Sequence, residues 1–208
     1  MSDADDRLLG LFPLGIVLLP GEIVPLHIFE ERYKKLIGER LEGGEFGIVL
    51  AEEDSVRECG TAARITQLIE EMDDGRMNVL VEGGRRFRII EVRDPADESD
   101  YLNALVEFYR DSEPDASPAL REAVLEVFTR MLALMDVESP EEPGGEGPLS
   151  FRIAAAVDFG AALKQELLES LSEEQRLETL LTVITSLLPR LELRKEREEA
   201  IRGNGKGY

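Results

Sequence analysis

Between Leu8 and Tyr33 the chain reads LLGLFPLGIVLLPGEIVPLHIFEERY, and this run limits the fold more than any other. Short apolar pieces are separated by Pro13, Gly15, Pro20-Gly21 and Pro25. Each proline lacks an N–H and disfavours α geometry in the residue before it, so the run cannot be one buried helix. Apolar and β-branched residues between such breaks predict short strands or extended segments joined by tight turns. Val17, Leu19, Val24, Leu26 and Ile28 are the expected core contributors. A chain that begins this way builds the first strands of a small, sharply bent sheet.

Downstream the period changes. Tyr33, Leu36, Ile37 and Leu41 recur at helical spacing and predict a helix over Phe29–Leu41, with Glu30 and Glu31 at its positive end. Glu45–Ala51 has the continuous apolar centre of a strand buried on both faces. Glu58–Met72 is read as a strand, because Ile65, Leu68 and Ile69 give no clean helical stripe. Asp73-Asp74-Gly75 predicts a hairpin turn. Met77, Val79 and Val81 alternate on one face of the strand that follows. Gly83-Gly84 is expected to join two strands by a tight turn or a positive φ. Beyond it the alternation Phe87, Ile89 breaks phase near Ile90, which predicts a bulge or a stretch buried on both sides. Tyr101–Tyr109 is ambiguous by pattern; as a closing strand it would turn Leu102, Ala104, Val106 and Phe108 inward. The strands are expected to curl into a partly closed barrel with one helix against it, which would hide the sheet edges.

Composition shifts after this. Asp94–Asp100 reads as an acidic loop, Arg110–Pro118 as a hinge, and Ser139–Pro148 as the most flexible segment. Ser117 with Pro118 is a helix start, followed by a stripe of Leu120, Val124, Val127, Met131, Leu132 and Met135. Two short helices are expected over Leu149–Asp158 and Ala161–Leu171. Ser172–Gln175 has capping-box spacing and opens a helix to about Glu199, with Leu177, Leu180, Leu181, Ile184, Leu187, Leu188 and Leu191 inward. At 1.5 Å per residue it would span roughly 40 Å, with Pro189 expected to kink it. Arg202–Tyr208 carries no apolar anchor before Tyr208. Two domains follow, a β-rich one over 1–112 and a helical one over 113–208.

Charge and scarce residues exclude much. The chain has 208 residues, 43% of them hydrophobic, with 44 acids against 24 bases and a formal charge of −20. Such a field repels phosphate backbones and anionic lipid, which argues against nucleic-acid or membrane binding as the main task. No apolar run approaches the length of a membrane span, and the acidic amino terminus lacks a basic n-region, so a cytoplasmic location is expected. His27 is the one histidine and Cys59 the one cysteine. No intrachain disulfide or His/Cys zinc site can be assembled from them. His27 in an apolar run reads as a structural imidazole, and Cys59 beside Glu58 as an unactivated thiol. Paired carboxylates fall at helix starts, strand ends and turns, where solvation explains them, and no phosphate loop is present. No catalytic residue, metal ligand or cofactor site is expected.

The motif L-x-x-F-P-L-G-x-V-L-x-P-G-x-x-x-P-L-H-I-F-E-x-R-Y over Leu9–Tyr33 resembles the opening of the Lon-protease amino-terminal domain in its stand-alone bacterial form. Phe46–Val49 resembles that domain's next strand, Gly60–Ile65 its G-T-x-A-x-I start, and Val81–Ile89 its V-x-G-x-x-R-F-x-I signature. The likeness runs from about Leu8 to Arg194. It implies an α+β fold: a PUA-like six-stranded pseudo-barrel with one helix, followed by a C-terminal α-helical domain ending in a long helix. It also implies a non-enzymatic module that binds proteins or unfolded peptide segments, since no Walker loop is present and no ATPase or Ser–Lys protease follows before Tyr208. A separate ATPase or protease is the implied further partner; a monomer or weak homo-oligomer is expected, because the surface charge should keep a monomer soluble. Phe29 and Arg32 near the first helix, with Arg85 and Arg86 after the glycines, are the expected peptide-binding groove. The alternative reading is an RNA- or small-ligand-binding PUA-like protein, which needs a basic strip from Arg64, Arg76, Arg85, Arg86 and Arg88. A hydrolase would need His27 or Cys59 brought to an acidic partner in a closed pocket.

Overall fold

The computed structural model describes residues 7–53, 55–93, 101–109, 111, 115–137, 143–145 and 147–204. Expectations for the loop at 94–100, for 110 and 112–114 of the hinge, for 139–142 and 146, and for 205–208 lie outside the described residues. The elements run β1 (Arg7–Leu14), β2 (Ile23–Ile28), α1 (Glu31–Gly38), β3 (Phe46–Ala51), β4 (Val56–Glu71), β5 (Met77–Arg93), β6 (Asn103–Phe108), α2 (Pro118–Leu134), α3 (Leu149–Ala156), α4 (Ala161–Glu169) and α5 (Glu173–Asn204). They form two compact units, Met1–Arg110 with Val157–Glu169 and Asp111–Ala156 with Ser170–Tyr208. Helix α4 therefore belongs with the sheet.

In the first unit the strands form one six-stranded sheet in the order β2-β5-β4-β3-β1-β6. β1 and β3 pair in parallel, Leu11 opposite Gly47 and Phe12 opposite Ile48; the other pairings are antiparallel. The α+β expectation, with C-terminal helices ending in a long one, holds. The six-stranded pseudo-barrel does not, because the sheet is not a closed barrel. β2 ends the order, and among the described residues β5 is its strand partner. β5, 17 residues long, meets β2 with its first half and β6 with its second. Pro25, which cannot donate to a ladder, sits in β2, where an edge strand tolerates it.

The turn assigned to Gly83-Gly84 is also corrected: β5 runs through both glycines without interruption. A Cβ on Gly83 would lie 2.1 Å from the Leu19 carbonyl oxygen, so only glycine admits the chain that crosses there. Gly83 donates to the Glu22 carbonyl at 2.9 Å and accepts from the Gly21 N–H at 2.8 Å. This crossing buries Val17, Leu18 and Leu19 (5%, 1% and 0% exposed) although none of them lies in a strand. Thr61 Oγ1 fixes the same segment by donating to the Leu18 carbonyl at 2.6 Å.

Two apolar clusters fill the unit. One gathers Phe12, Phe46, Val79 and Val81 under Tyr33, Leu36 and Ile37 of α1. The other gathers Leu11, Val49, Ala104 and Val106 around Phe87. Met77, Val79 and Val81 are buried together, as their alternation requires, and Ala104 and Val106 face inward on β6. The turn after β4 does form, with Gly75 at φ 77°. The phase break near Ile90 is a bulge, with the β5–β6 register shifting between Ile89 and Glu91.

In the second unit α2 packs along α5. Ser117 Oγ accepts the Leu120 N–H, with Pro118 at the first helical position. Val124, Phe128, Met131 and Leu132 form the buried stripe of α2, and Leu177, Leu180, Ile184 and Leu188 that of α5. With 32 residues, α5 runs through Pro189 and is about 48 Å long. Arg176 and Glu173 are both fully buried at its start. The Arg176 guanidinium bonds Glu173, Asp111 and Ser150 and lies 4.5 Å from the Phe151 ring centroid. Glu173 in turn accepts the Ser150 N–H at 3.0 Å, which satisfies a free donor at the start of α3.

Candidate functional site

The bulge in β5 has a local consequence. It shifts the strand's alternation, so Ile90 and Val92 stand 50% and 44% exposed on its outer face. Together with Leu102 they form the apolar wall of an open cleft of about 910 Å³. Pro13 at the end of β1 and Arg32 and Tyr33 of α1 contribute to its lining. The β3–β4 connection adds Glu52, Glu53 and Ser55, and the start of β4 adds Val56 and Glu58. Glu30, the residue before α1, makes no side-chain cap of the helix. Its carboxylate instead takes Nε and Nη2 of Arg32 at 3.0 and 2.8 Å. The guanidinium so held lies 4.7 Å from the centroid of the Tyr33 ring. Burial pushes the Tyr33 phenol above its ordinary value, opposed by Arg32 and aided by Glu30. The phenol therefore stays neutral and can donate a hydrogen bond.

A second cleft of about 440 Å³ shares Glu52, Val56 and Glu58 with the first, and adds Arg57, Cys59, Tyr109 and Glu169. Helix α4 contributes Glu169, its last residue, to that lining. The Leu168 carbonyl, in the last turn of that helix, accepts Nη1 of Arg86 at 2.8 Å and faces the Cys59 thiol at 3.6 Å. A cation at a helix C-terminus satisfies an orphan carbonyl and meets the negative end of the helix dipole.

Of the four residues expected to form a groove, Arg32 lines the larger cleft and Phe29, Arg85 and Arg86 do not. Phe29 is 59% exposed and stacks on His27 with ring centroids 6.0 Å apart. Arg85 lies 3.7 Å from the centroid of Phe108 and 3.5 Å from Glu45. Arg86 is 6% exposed and holds α4 from below. Four of the five arginines of the basic strip needed for phosphate binding are already matched by acids, and Arg86 is buried. Arg64 pairs with Glu82 at 2.6 Å, Arg76 with Asp74 at 2.7 Å, and Arg88 with Glu107 at 3.0 Å.

His27 is exposed and its Nδ1 lies 2.7 Å from Oδ1 of Asn78, its cross-strand neighbour on β5. Cys59 is buried, and burial chiefly pushes its thiol from 9.0 up to about 12, with Arg86 opposing and Glu169 adding to the rise. A neutral thiol aimed at a carbonyl is not a nucleophile. Among the described residues no group of three or more His, Cys, Asp or Glu could hold a metal ion. No described helix is long and apolar enough to cross a membrane. The apolar wall escaped sequence reasoning, although the phase break near Ile90 was its visible signal.

Comparison with known proteins agrees with this inventory. The family model for the ATP-dependent protease La (LON) substrate-binding domain matches residues 9–186. The Lon protease of Brucella suis biovar 1 is 30% identical over 209 residues, covering 91% of this chain and 25% of that protein. The Lon protease of Flavobacterium johnsoniae is 26% identical, covering 93% of this chain and 26% of that protein. The chain thus spans about a quarter of the length of these curated relatives. Among solved structures, a Lon N-terminal domain protein from Xanthomonas campestris superposes with a TM-score of 0.67 at 28% identity, covering 85% of this chain and 98% of that one. The N-terminal domain of Mycobacterium avium complex Lon protease superposes at 0.63 with 18% identity, covering 86% of this chain and 98% of that one, which shows the shared fold. The matched region is the substrate-binding part and not a catalytic domain; the chain belongs to the family of Lon substrate-binding domains.

Proposed function

We propose that this chain is a recognition module that holds extended or unfolded segments of other polypeptides and performs no chemistry on them. The observation that carries the reading is the cleft beside the β5 bulge. Exposed Ile90 and Val92 form an apolar wall facing a polar rim of glutamates and Arg32. Its volume of about 910 Å³ lies within the usual range of ligand sites, and grouped apolar side chains left open to water mark binding surfaces. The imidazole and the thiol are both engaged elsewhere, and the family is one of substrate-binding domains. A separate ATPase or protease as recipient of the held segment, a cytoplasmic location and a monomeric or weakly self-associating state complete the proposal.

The test is binding of a reduced, carboxymethylated model protein, followed by fluorescence anisotropy. Ile90→Asp with Val92→Asp places charge on the wall at two already exposed positions, so the fold should persist, as circular dichroism would verify. Affinity is expected to fall at least about tenfold, the loss of roughly 1.4 kcal/mol or more of apolar contact. Equal affinity of the parent and the double variant would remove the cleft from the function.

A further inference from the structure

The charges around the cleft go further than its shape. Across the two adjoining clefts stand five carboxylates, Glu30, Glu52, Glu53, Glu58 and Glu169, and two guanidiniums, Arg32 and Arg57. Both guanidiniums are already matched within the site: Arg32 with Glu30 at 2.8 Å and Arg57 with Glu52 at 3.2 Å. Glu169 accepts from the neutral amide of Gln165 at 2.8 Å, so its charge is not balanced by that bond. Glu53 and Glu58 form no ion pair among the described residues, and Arg88, the cation whose field Glu58 reaches, is paired with Glu107. Glu53 and Glu58 are thus two acids without an ion pair in the cleft whose other wall is Ile90, Val92 and Leu102. The chain's net charge of −20 adds a field of the same sign.

Resting on the function proposed above, we propose that the cleft selects polypeptide segments in which lysine or arginine stands next to apolar side chains. The apolar residues would lie on the β5 wall and the cation would reach Glu53 and Glu58 across the floor. A carboxylate beside low-dielectric side chains is felt more strongly than one in open water, and like charge is turned away by the same field. Acidic segments would therefore be refused and neutral ones held by the wall alone. The preference is electrostatic, so salt should erase it.

Three labelled peptides of equal length and identical apolar residues, differing only in whether the intervening positions are Lys/Arg, Ser/Asn or Asp/Glu, would be titrated with the full chain. The basic peptide is expected to bind roughly three- to tenfold tighter than the neutral one at about 0.05 M salt, with the ratio approaching one near 0.5 M. Combining Glu53→Gln with Glu58→Gln, both exposed positions, should bring the basic-to-neutral ratio close to one at low salt. Equal binding of basic and neutral peptides by the parent, or a ratio that the double variant leaves intact, overturns the selectivity while leaving the cleft as a binding site. Binding of none of the three overturns both this inference and the function it rests on.

Discussion

The two units of this protein satisfy their buried polar groups in opposite ways. In the sheet unit Thr61, Arg86 and Gln165 are buried, and each donates to a backbone carbonyl: Leu18, Leu168 and Cys59 respectively. In the helical unit Ser150, Glu173 and Arg176 are buried and bond chiefly to one another, with Asp111 as the fourth member. Loss of a side chain that serves a carbonyl leaves a neutral acceptor without that donor. A member of an interlocked set, once removed, leaves charged partners without compensation in a region water does not reach. The sheet unit is held by shape and close approach, and the helical unit by a charged hub.

The hardest test of that contrast is Arg176→Met, which keeps much of the volume but leaves Glu173 and Asp111 facing each other. It should cost about 4 kcal/mol in urea unfolding; a loss below about 1 kcal/mol would dissolve the contrast. Next is Gly83→Ala, where the added carbon meets the Leu19 carbonyl at 2.1 Å and forces the Leu18–Glu22 crossing away from β5. A cost of about 3 kcal/mol is expected. Gly15→Ala, with nothing within 4 Å of the new carbon, should be near neutral by the same measurement.

The smallest effect at neutral pH concerns Cys59. Its folded thiol ionises near 12 against an ordinary 9.0. Below about pH 9 both states hold the proton and stability is unaffected. Between 9 and 12 the unfolded chain releases a proton that the folded chain keeps, and stability falls by up to about 1.4 kcal/mol per pH unit. Thiolate absorbance of this single cysteine should therefore appear near pH 9 in the denatured protein and well above it in the native one. Coincident titrations would show the thiol to be open to water.

Much of the fold was legible because its signals are local. The 3.6-residue period of Leu177, Leu180 and Ile184 and the two-residue period of Met77, Val79 and Val81 each report which face meets a core. The Asp73-Asp74-Gly75 turn and the Ser117-Pro118 start are chemistry within a few residues. Even the bulge near Ile90 showed as a fault in the alternation. The binding groove was legible only in part. Arg32 stands in the cleft, whereas Arg86 reads in sequence as a surface cation and in the fold is the buried support of α4. No local pattern tells whether an arginine after two glycines will meet solvent or the end of a helix some eighty residues later.

By itself the sequence determined an α+β chain with short strands first and amphipathic helices after, because proline, glycine and hydrophobic period act over a few residues. It also determined that one histidine and one cysteine cannot supply an intrachain disulfide or a His/Cys zinc site. Only the tertiary structure decided that β2 stays at the end of the sheet, that Gly83 is a crossing point within a strand, and that α4 returns to the sheet unit. It alone placed Ile90 and Val92 beside the glutamates of the β3–β4 connection. Those outcomes depend on which distant segments meet, and that choice is made by the packing of whole elements, whose partners a single stretch of residues does not contain.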